Sequence, residues 1–168
     1  MRRSADYWIK KLKLAKHPEG GYFREVYRSD EIYPRRGLPK RFPGSRAMST
    51  SIYYLLKAGE FSSFHRLRSD EIWHFYAGSA LTLSVISPRG ALTTLKLGPH
   101  PDRGEAFQAM VPAGHWFAAQ AKPPASYSLV GCTLAPGFDF KDFDLADCKR
   151  LKRVYPQYQG LIESFTRS

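Results

Sequence analysis

A histidine and a glutamate lie six residues apart between two glycines, in the pattern G-x5-H-x-L-x3-E-x6-G. The residues concerned are Gly59, His65, Leu67, Glu71 and Gly78. An imidazole beside a carboxylate can transfer protons near neutral pH, because burial and a neighbouring charge move the imidazole pKa toward working pH. The same two groups can ligate a transition metal, or can simply satisfy each other as a buried hydrogen-bonded pair. The spacing leaves these three interpretations open.

The strands that carry these residues decide which side chains meet. Alternate residues of a strand face opposite sides of a sheet, so His65 and Leu67 are predicted to share one face. Arg66 and Arg68 alternate away from His65 and are predicted to be surface or interface charges. The next strand is predicted to divide into two sets, Glu71, Trp73 and Phe75 on one face and Ile72, His74 and Tyr76 on the other.

Composition and charge exclude several classes of protein. The 168 residues fit one domain, and 43% apolar and 14% aromatic residues exclude intrinsic disorder. The net charge of +11 is confined to the two ends of the chain, since residues 51–148 hold 8 basic and 9 acidic side chains. A domain that binds duplex nucleic acid would carry basic residues on its central elements as well. We therefore expect no specific nucleic-acid partner.

The cysteines and the apolar runs bear on location. Cys132 and Cys148 lack a metal-type spacing, which favours a reducing compartment. No apolar run approaches the ~20 residues of a membrane span, and the N-terminus shows no hydrophobic signal core. We expect a cytoplasmic protein with no membrane partner.

Short strands separated by turn signals dominate the central part of the chain. An amphipathic helix with Ser4 as N-cap is predicted over Ala5–Ala15, stopped by residues 17–21, and residues 30–47 are predicted to form a long loop. The predicted strands are Tyr22–Arg28, Met48–Lys57, Phe61–Arg66, Glu71–Tyr76, Ala80–Ser87, Ala91–Leu97, Glu105–Val111, Trp116–Gln120 and Ser126–Leu134. Helical spacing returns over Asp144–Tyr155 and Pro156–Thr166. Strands at this spacing predict a sandwich or barrel.

The pattern around His65 resembles the first motif of the cupin superfamily, G-x5-H-x-H-x3-E-x6-G, with Leu67 in place of the second histidine. Pro112-Ala113-Gly114 resembles the P-x-G turn of the second cupin motif. The stretches HPEGGYFRE (residues 17–25), STSIYYLL (49–56) and SDEIWHFYAG (69–78) are similar to a single-domain cupin branch of unknown function. The resemblance implies an all-β fold: one double-stranded β-helix (jelly-roll, RmlC-like) barrel with its core at about residues 20–140, a short N-terminal helix and C-terminal helical turns.

The resemblance implies a metal only in part. Metal cupins use three histidines and one glutamate, and here Leu67 and Phe117 stand at two of those four positions. We therefore predict no metal cofactor. The alternative is a metal-dependent enzyme in which His65, Glu71 and His115 supply the ligands.

Metal-free relatives among the sugar-nucleotide epimerases imply a catalytic arrangement. By that resemblance His65 is the base, Glu71 orients it, and Tyr53 or Tyr76 is the acid. Four further residues are predicted to contact the ligand, namely Trp73, Phe75, His115 and Phe117, and His17 could border the pocket.

The resemblance implies a barrel that binds a small polar molecule, such as a sugar or sugar nucleotide, with epimerase or isomerase chemistry. The alternative is a binding protein without catalysis.

We expect a homodimer with residues 1–50 at its interface.

Overall fold

The computed structural model describes residues 3–121 and 127–167. Within them lie three α-helices, α1 (Ala5–Lys11), α2 (Cys148–Val154) and α3 (Gln159–Ser164). The strands are, in chain order, β1 (Ala15–Lys16), β2 (Tyr22–Arg28), β3 (Ile32–Tyr33), β4 (Arg46–Ala47), β5 (Thr50–Lys57), β6 (Phe61–Arg66), β7 (Asp70–Gly78), β8 (Leu81–Ile86), β9 (Leu92–Leu97), β10 (Gln108–Val111), β11 (Trp116–Ala121), β12 (Tyr127–Ala135) and β13 (Asp144–Leu145). Single 3₁₀ turns cover Arg35–Gly37, Pro101–Arg103, Phe140–Asp142 and Pro156–Tyr158.

Two antiparallel sheets face each other and enclose the core. One sheet has the strand order β1-β2-β5-β12-β7-β10, and the other has the order β13-β6-β11-β8-β9. Their inner faces contribute Tyr54, Trp73, Leu83, Phe117 and Val130 to a continuous buried cluster. Interleaved strands of this kind form a jelly roll, so the predicted all-β barrel is confirmed.

The helices cover the outer faces of the barrel. Phe64 of β6 packs outward against Leu151 of α2 and Ile162 of α3 in a second buried cluster. At the other sheet, Leu55 of β5 packs against the segment that holds α1. The predicted helices at both ends of the chain are confirmed. In the described part of the chain, no helix is long and apolar enough to span a membrane.

The N-terminal helix ends earlier than predicted. Its N-cap is Ser4, whose Oγ accepts a hydrogen bond from the Tyr7 amide at 3.2 Å, but α1 stops at Lys11. Residues 15 and 16 instead pair with Tyr22 and Phe23 as β1. The stretch 17–21 is therefore the turn of a β-hairpin and not a helix stop. Gly20 and Gly21 have φ of 115° and 71°, a region that side chains with Cβ rarely adopt.

Two further expectations about loops and helices are corrected. Residues 30–47, predicted to be loop, hold the two-residue ladder of β3 and β4. Asp144 and Leu145, predicted to be helical, pair with Arg66 and His65 as β13, because the backbone there completes the edge of the second sheet. The predicted turn at residues 123 and 124, and residue 126 of the last predicted strand, lie outside the described residues.

A buried ion pair ties the arm of residues 30–47 to the barrel. Arg46 donates to both carboxylate oxygens of Asp142, at 2.5 Å from Nε to Oδ2 and 2.6 Å from Nη2 to Oδ1. The two side chains are 3% and 4% exposed. Removing one member of such a pair leaves a buried charge without its partner.

We predict that Asp142→Ala lowers the free energy of unfolding by about 3–5 kcal/mol. The matched control is Asp144→Ala, which breaks the half-exposed pair with Arg66 and is expected to cost less than about 1 kcal/mol. Urea denaturation of the three proteins measures both values. Equal losses for the two variants would contradict the structural role assigned to Asp142.

Candidate functional site

A cavity of about 350 Å³ opens into the barrel between the β1–β2 hairpin and the segment after β12. Its polar inner residues are His17, Glu19, His65, Glu71 and Cys132. Aromatic walls come from Phe23, Tyr54, Trp73, Phe138, Phe140 and Phe143, and Arg28 and Glu25 form an ion pair that also lines it. The volume is at the lower end of the ~300–1,000 Å³ range of small-molecule sites.

Both nitrogen atoms of the His65 ring contact neighbouring groups. The side chain is 3% exposed, and Nδ1 lies 2.8 Å from the Ser63 carbonyl oxygen. A carbonyl only accepts, so Nδ1 must carry a proton. Nε2 lies 3.2 Å from Oε2 of Glu19. The imidazole and the carboxyl group therefore form a buried acid–base pair.

Glu19 is held by groups on both sides of the hairpin turn. Its Oε1 accepts from Ser62 Oγ at 2.9 Å, and its carbonyl accepts from the Ser63 amide at 2.8 Å. Its amide donates to Nδ1 of His17 at 3.3 Å, so that nitrogen carries no proton. Burial lowers the pKa of His17, in agreement with a neutral ring. Its Nε2–H is then a donor for a ligand in the cavity.

Glu71 lies deeper in the barrel, and burial controls its protonation. Burial raises the pKa of Glu71 to about 8, and the charge of Glu19 adds to this effect. Its Oε2 accepts from Nε1 of Trp73 at 2.8 Å, which offsets only part of the burial. At neutral pH Glu71 is therefore a carboxylic acid that can donate a hydrogen bond. Burial also raises the pKa of the neighbouring Cys132 thiol, so this group is not an activated nucleophile.

The structure brings some of the predicted site residues together. His65, Glu71 and Trp73 all line the cavity, and Leu67 lies on the same face as His65. The carboxylate next to His65 is that of Glu19, so the expectation that Glu71 orients the imidazole is corrected. Glu19 is about 45 residues away in sequence and meets β6 only because the hairpin folds over it. The sequence signal that could have identified Glu19 is the HPEGG stretch of residues 17–21, which also holds His17.

The two predicted tyrosines lie outside the cavity. Tyr53 and Tyr76 contact each other edge to face on the outer surface of the sheet, with ring centroids 5.9 Å apart. The tyrosine that faces inward is Tyr54, one residue further along β5, whose hydroxyl donates to the Gly20 carbonyl at 2.7 Å. Strand alternation puts neighbouring residues on opposite faces, so an error of one residue changes the side.

Three further residues that were predicted to contact the ligand do not line the cavity. The ring of Phe117 lies 4.1 Å from that of His65 but supports it from within the core rather than lining the cavity. Phe75 packs against the same core cluster. His115 is in a turn, with Nδ1 3.4 Å from the Ala113 carbonyl, and it does not line the cavity.

These positions do not fit a metal. The alternative ligand set of His65, Glu71 and His115 is not assembled around the cavity. In residues 3–121 and 127–167, no group of three or more potential ligand side chains could hold a metal ion. Leu67 and Phe117, which have no donor atoms, stand where cupins place two of their ligands.

A jelly-roll barrel with an inward histidine and glutamate on successive strands, followed by a P-x-G turn, defines a cupin. The chain belongs to the Cupin_5 family, described as Cupin superfamily (DUF985), whose model matches residues 6–146. The sequence resemblance to this branch is confirmed.

The chain is similar to proteins from several organisms. The uncharacterized protein YML079W of Saccharomyces cerevisiae is 32% identical over 143 residues, which are 80% of this chain and 71% of the yeast protein. The crystal structure of protein SO0799 from Shewanella oneidensis is 42% identical, with a TM-score of 0.88 over 98% of each chain. A hypothetical protein from Leishmania major is 35% identical, with a TM-score of 0.89 over 99% of this chain and 100% of that one.

Oxalate decarboxylase from Bacillus subtilis shares the fold alone. It is 16% identical, with a TM-score of 0.56 over 89% of this chain and 36% of its own.

The raised pKa of Glu71 predicts a pH-dependent stability. The folded protein binds an extra proton between about pH 4.5 and 8, so its free energy of unfolding falls as the pH rises through this window. Glu71→Gln keeps the shape and removes the titration. Urea denaturation should therefore show the stability of the wild type falling relative to Glu71→Gln, by up to about 1.4 kcal/mol per pH unit. The opposite effect of His17 is present in both proteins. A stability difference that does not change with pH would mean that Glu71 is ionised in the folded state.

Proposed function

We propose that the protein binds a small polar molecule in the barrel cavity and transfers a proton to or from it, as an isomerase or epimerase does. The observation that carries the proposal is the buried Glu19–His65 pair, which places an imidazole nitrogen 3.2 Å from a carboxylate oxygen at the wall of an accessible cavity. Two such groups can accept or release a proton without a metal.

The inner residues supply the parts of such a reaction. The Glu19–His65 pair takes a proton from a carbon next to a carbonyl group. The carbonyl oxygen then gains negative charge, which the neutral Glu71 and Nε2–H of His17 stabilise by hydrogen bonding. Return of a proton to the same carbon on its other face completes an epimerisation. Return of the proton to the former carbonyl carbon completes an isomerisation, as the hydroxyl proton on the neighbouring carbon moves to the former carbonyl oxygen. The balance requires no redox cofactor.

Size and wall chemistry favour a sugar-like ligand. A cavity of about 350 Å³ suits a molecule as large as a monosaccharide, and the partly buried rings of Phe23, Phe138 and Phe143 offer aromatic walls on which the C–H face of a sugar can stack. The nucleotide part of a sugar nucleotide would extend beyond the cavity. We propose a free or substituted sugar as the substrate class. We also propose that the protein is located in the reducing environment of the cytoplasm.

A binding protein without catalysis is the second candidate. The observation in its favour is that Ser62, His65 and the Ser63 amide already satisfy Glu19, as in a structural hydrogen-bond network.

We predict that the wild type, incubated in D₂O with free aldoses and ketoses, incorporates deuterium at the carbon next to the carbonyl group of its substrate. Glu19→Gln and His65→Gln should each lower this rate by about 10²–10⁴-fold, because each removes one half of the proton-transfer pair. EDTA should leave the rate unchanged. Proton NMR measures the exchange.

The matched control is His74→Gln. His74 lies on β7, on the outer face of the sheet that holds Glu71, where its ring contacts Thr133 and Gln108. This variant should keep the wild-type rate. Saturable binding of a sugar without any deuterium incorporation would instead favour the second candidate.

We also propose a homodimer formed through the segment 1–50. Among the described residues, β2 pairs on its outer edge only with β1, at Tyr22 and Phe23. Beyond that point Val26 and Tyr27 are 45% and 53% exposed. Unpaired edge strands with apolar side chains favour pairing with another chain, and two-fold symmetry is the commonest way in which identical subunits associate.

We predict a dimer by light scattering at micromolar concentration. Tyr27→Asp should shift the mass toward the monomer, because it places a charge in the interface. Val154→Asp is the control, since Val154 is similarly exposed but lies on α2. A monomeric wild type would contradict the proposed dimer.

A further inference from the structure

A second concave site lies beside the barrel cavity and is basic. It encloses about 720 Å³ between the end of β6, the turn at residues 112–114 and the segment after β12. We call it the arginine groove, defined by the lining side chains of Arg41, Arg66, Arg68 and Lys141. Leu67 and Phe143 line both this groove and the barrel cavity, so the two sites share a wall.

The carboxylates of the groove are already engaged. Asp142 accepts two hydrogen bonds from the buried Arg46. Asp144 accepts from both Nε and Nη2 of Arg66, at 2.8 and 2.7 Å, and Asp70 accepts from the Ala113 amide at 2.8 Å. These three side chains therefore have little capacity left to neutralise the other cations.

The other cations of the groove lack close carboxylate partners. Nε of Arg68 is 3.5 Å from Asp142, beyond a normal hydrogen bond. Within the described residues, Arg41 and Lys141 have no carboxylate within 4.0 Å. The side chains that line the groove, four basic and three acidic, therefore carry a net charge of one positive unit.

Backbone contacts hold two of these guanidinium groups in place. Nε of Arg41 donates to the carbonyl of Arg68 at 2.6 Å, and Nη1 of Arg68 donates to the carbonyl of Arg41. Two like charges kept on one groove wall repel each other, and an anion between them offsets this cost. A guanidinium group fixed in this way retains N–H donors in a planar arrangement that matches phosphate oxygens.

We infer that the arginine groove binds the phosphate group of a small molecule. The excess of positive charge in the groove favours an anionic group. The concave shape and limited volume suit a small phosphorylated compound rather than a polymer. Arg66 and Arg68, expected from sequence to be surface or interface charges, are thereby assigned to a binding site.

Isothermal titration with pyrophosphate and with inorganic phosphate, at constant ionic strength, tests this inference. The wild type should bind pyrophosphate at one saturable site. The double variant Arg41→Gln/Arg68→Gln should weaken binding at least about tenfold, because it removes the two fixed guanidinium groups. Lys141→Gln, at an exposed side chain, should weaken binding to a smaller extent and provides a second test if the double variant is poorly folded.

Two control variants distinguish binding in the groove from general charge attraction and from binding in the barrel cavity. Arg153→Gln on α2 changes an exposed arginine outside the groove. The affinity for pyrophosphate should stay within about twofold of the wild type, because a distant surface charge contributes only weakly at moderate salt. His65→Gln should do the same, so that failure of the proposed barrel chemistry does not affect this test. Absence of saturable binding would overturn the inference. So would an equal loss with Arg153→Gln, or tighter binding of a single-stranded oligonucleotide than of pyrophosphate.

Discussion

The contact between Glu19 and His65 is the interaction on which the site depends. It joins the β1–β2 hairpin to β6, which belongs to the opposite sheet. The hairpin is fixed there by further bonds, from Ser62 and Ser63 to Glu19 and from Tyr54 to Gly20. Because each bond involves a group that is buried, loss of any one leaves a partner unsatisfied. The geometry of the acid–base pair is therefore maintained by the fold around it.

The buried carboxylates are kept distinct by their surroundings. Glu19 has a histidine and a hydroxyl group as partners, whereas Glu71 has an indole N–H and a thiol within an apolar wall. Two carboxylates near each other do not both ionise readily in a poorly solvated site. The result is a protonated Glu71 at neutral pH beside the Glu19–His65 pair. Groups held in different environments in this way can take separate parts in proton transfer.

The barrel cavity and the arginine groove differ in charge although they share a wall. In the cavity, Arg28 is paired with Glu25. In the groove, among the described residues, Arg41 and Lys141 have no carboxylate within 4.0 Å. A ligand with a neutral polar part and an anionic part would match this distribution of charge, with Leu67 and Phe143 between the two parts.

The sequence by itself determined the barrel, its inner histidine and glutamate, and the loss of two metal-ligand positions. Those features depend on alternation within strands and on local spacing, and β2 and β6 begin and end where the pattern predicts. Only the tertiary structure decided that Glu19 is the partner of His65 and that Tyr54 faces inward. The hairpin contact joins residues far apart in the chain, and a shift of one residue in a strand reverses the face. The grouping of Arg41 with Arg68 likewise arises only when the arm folds against the end of β6.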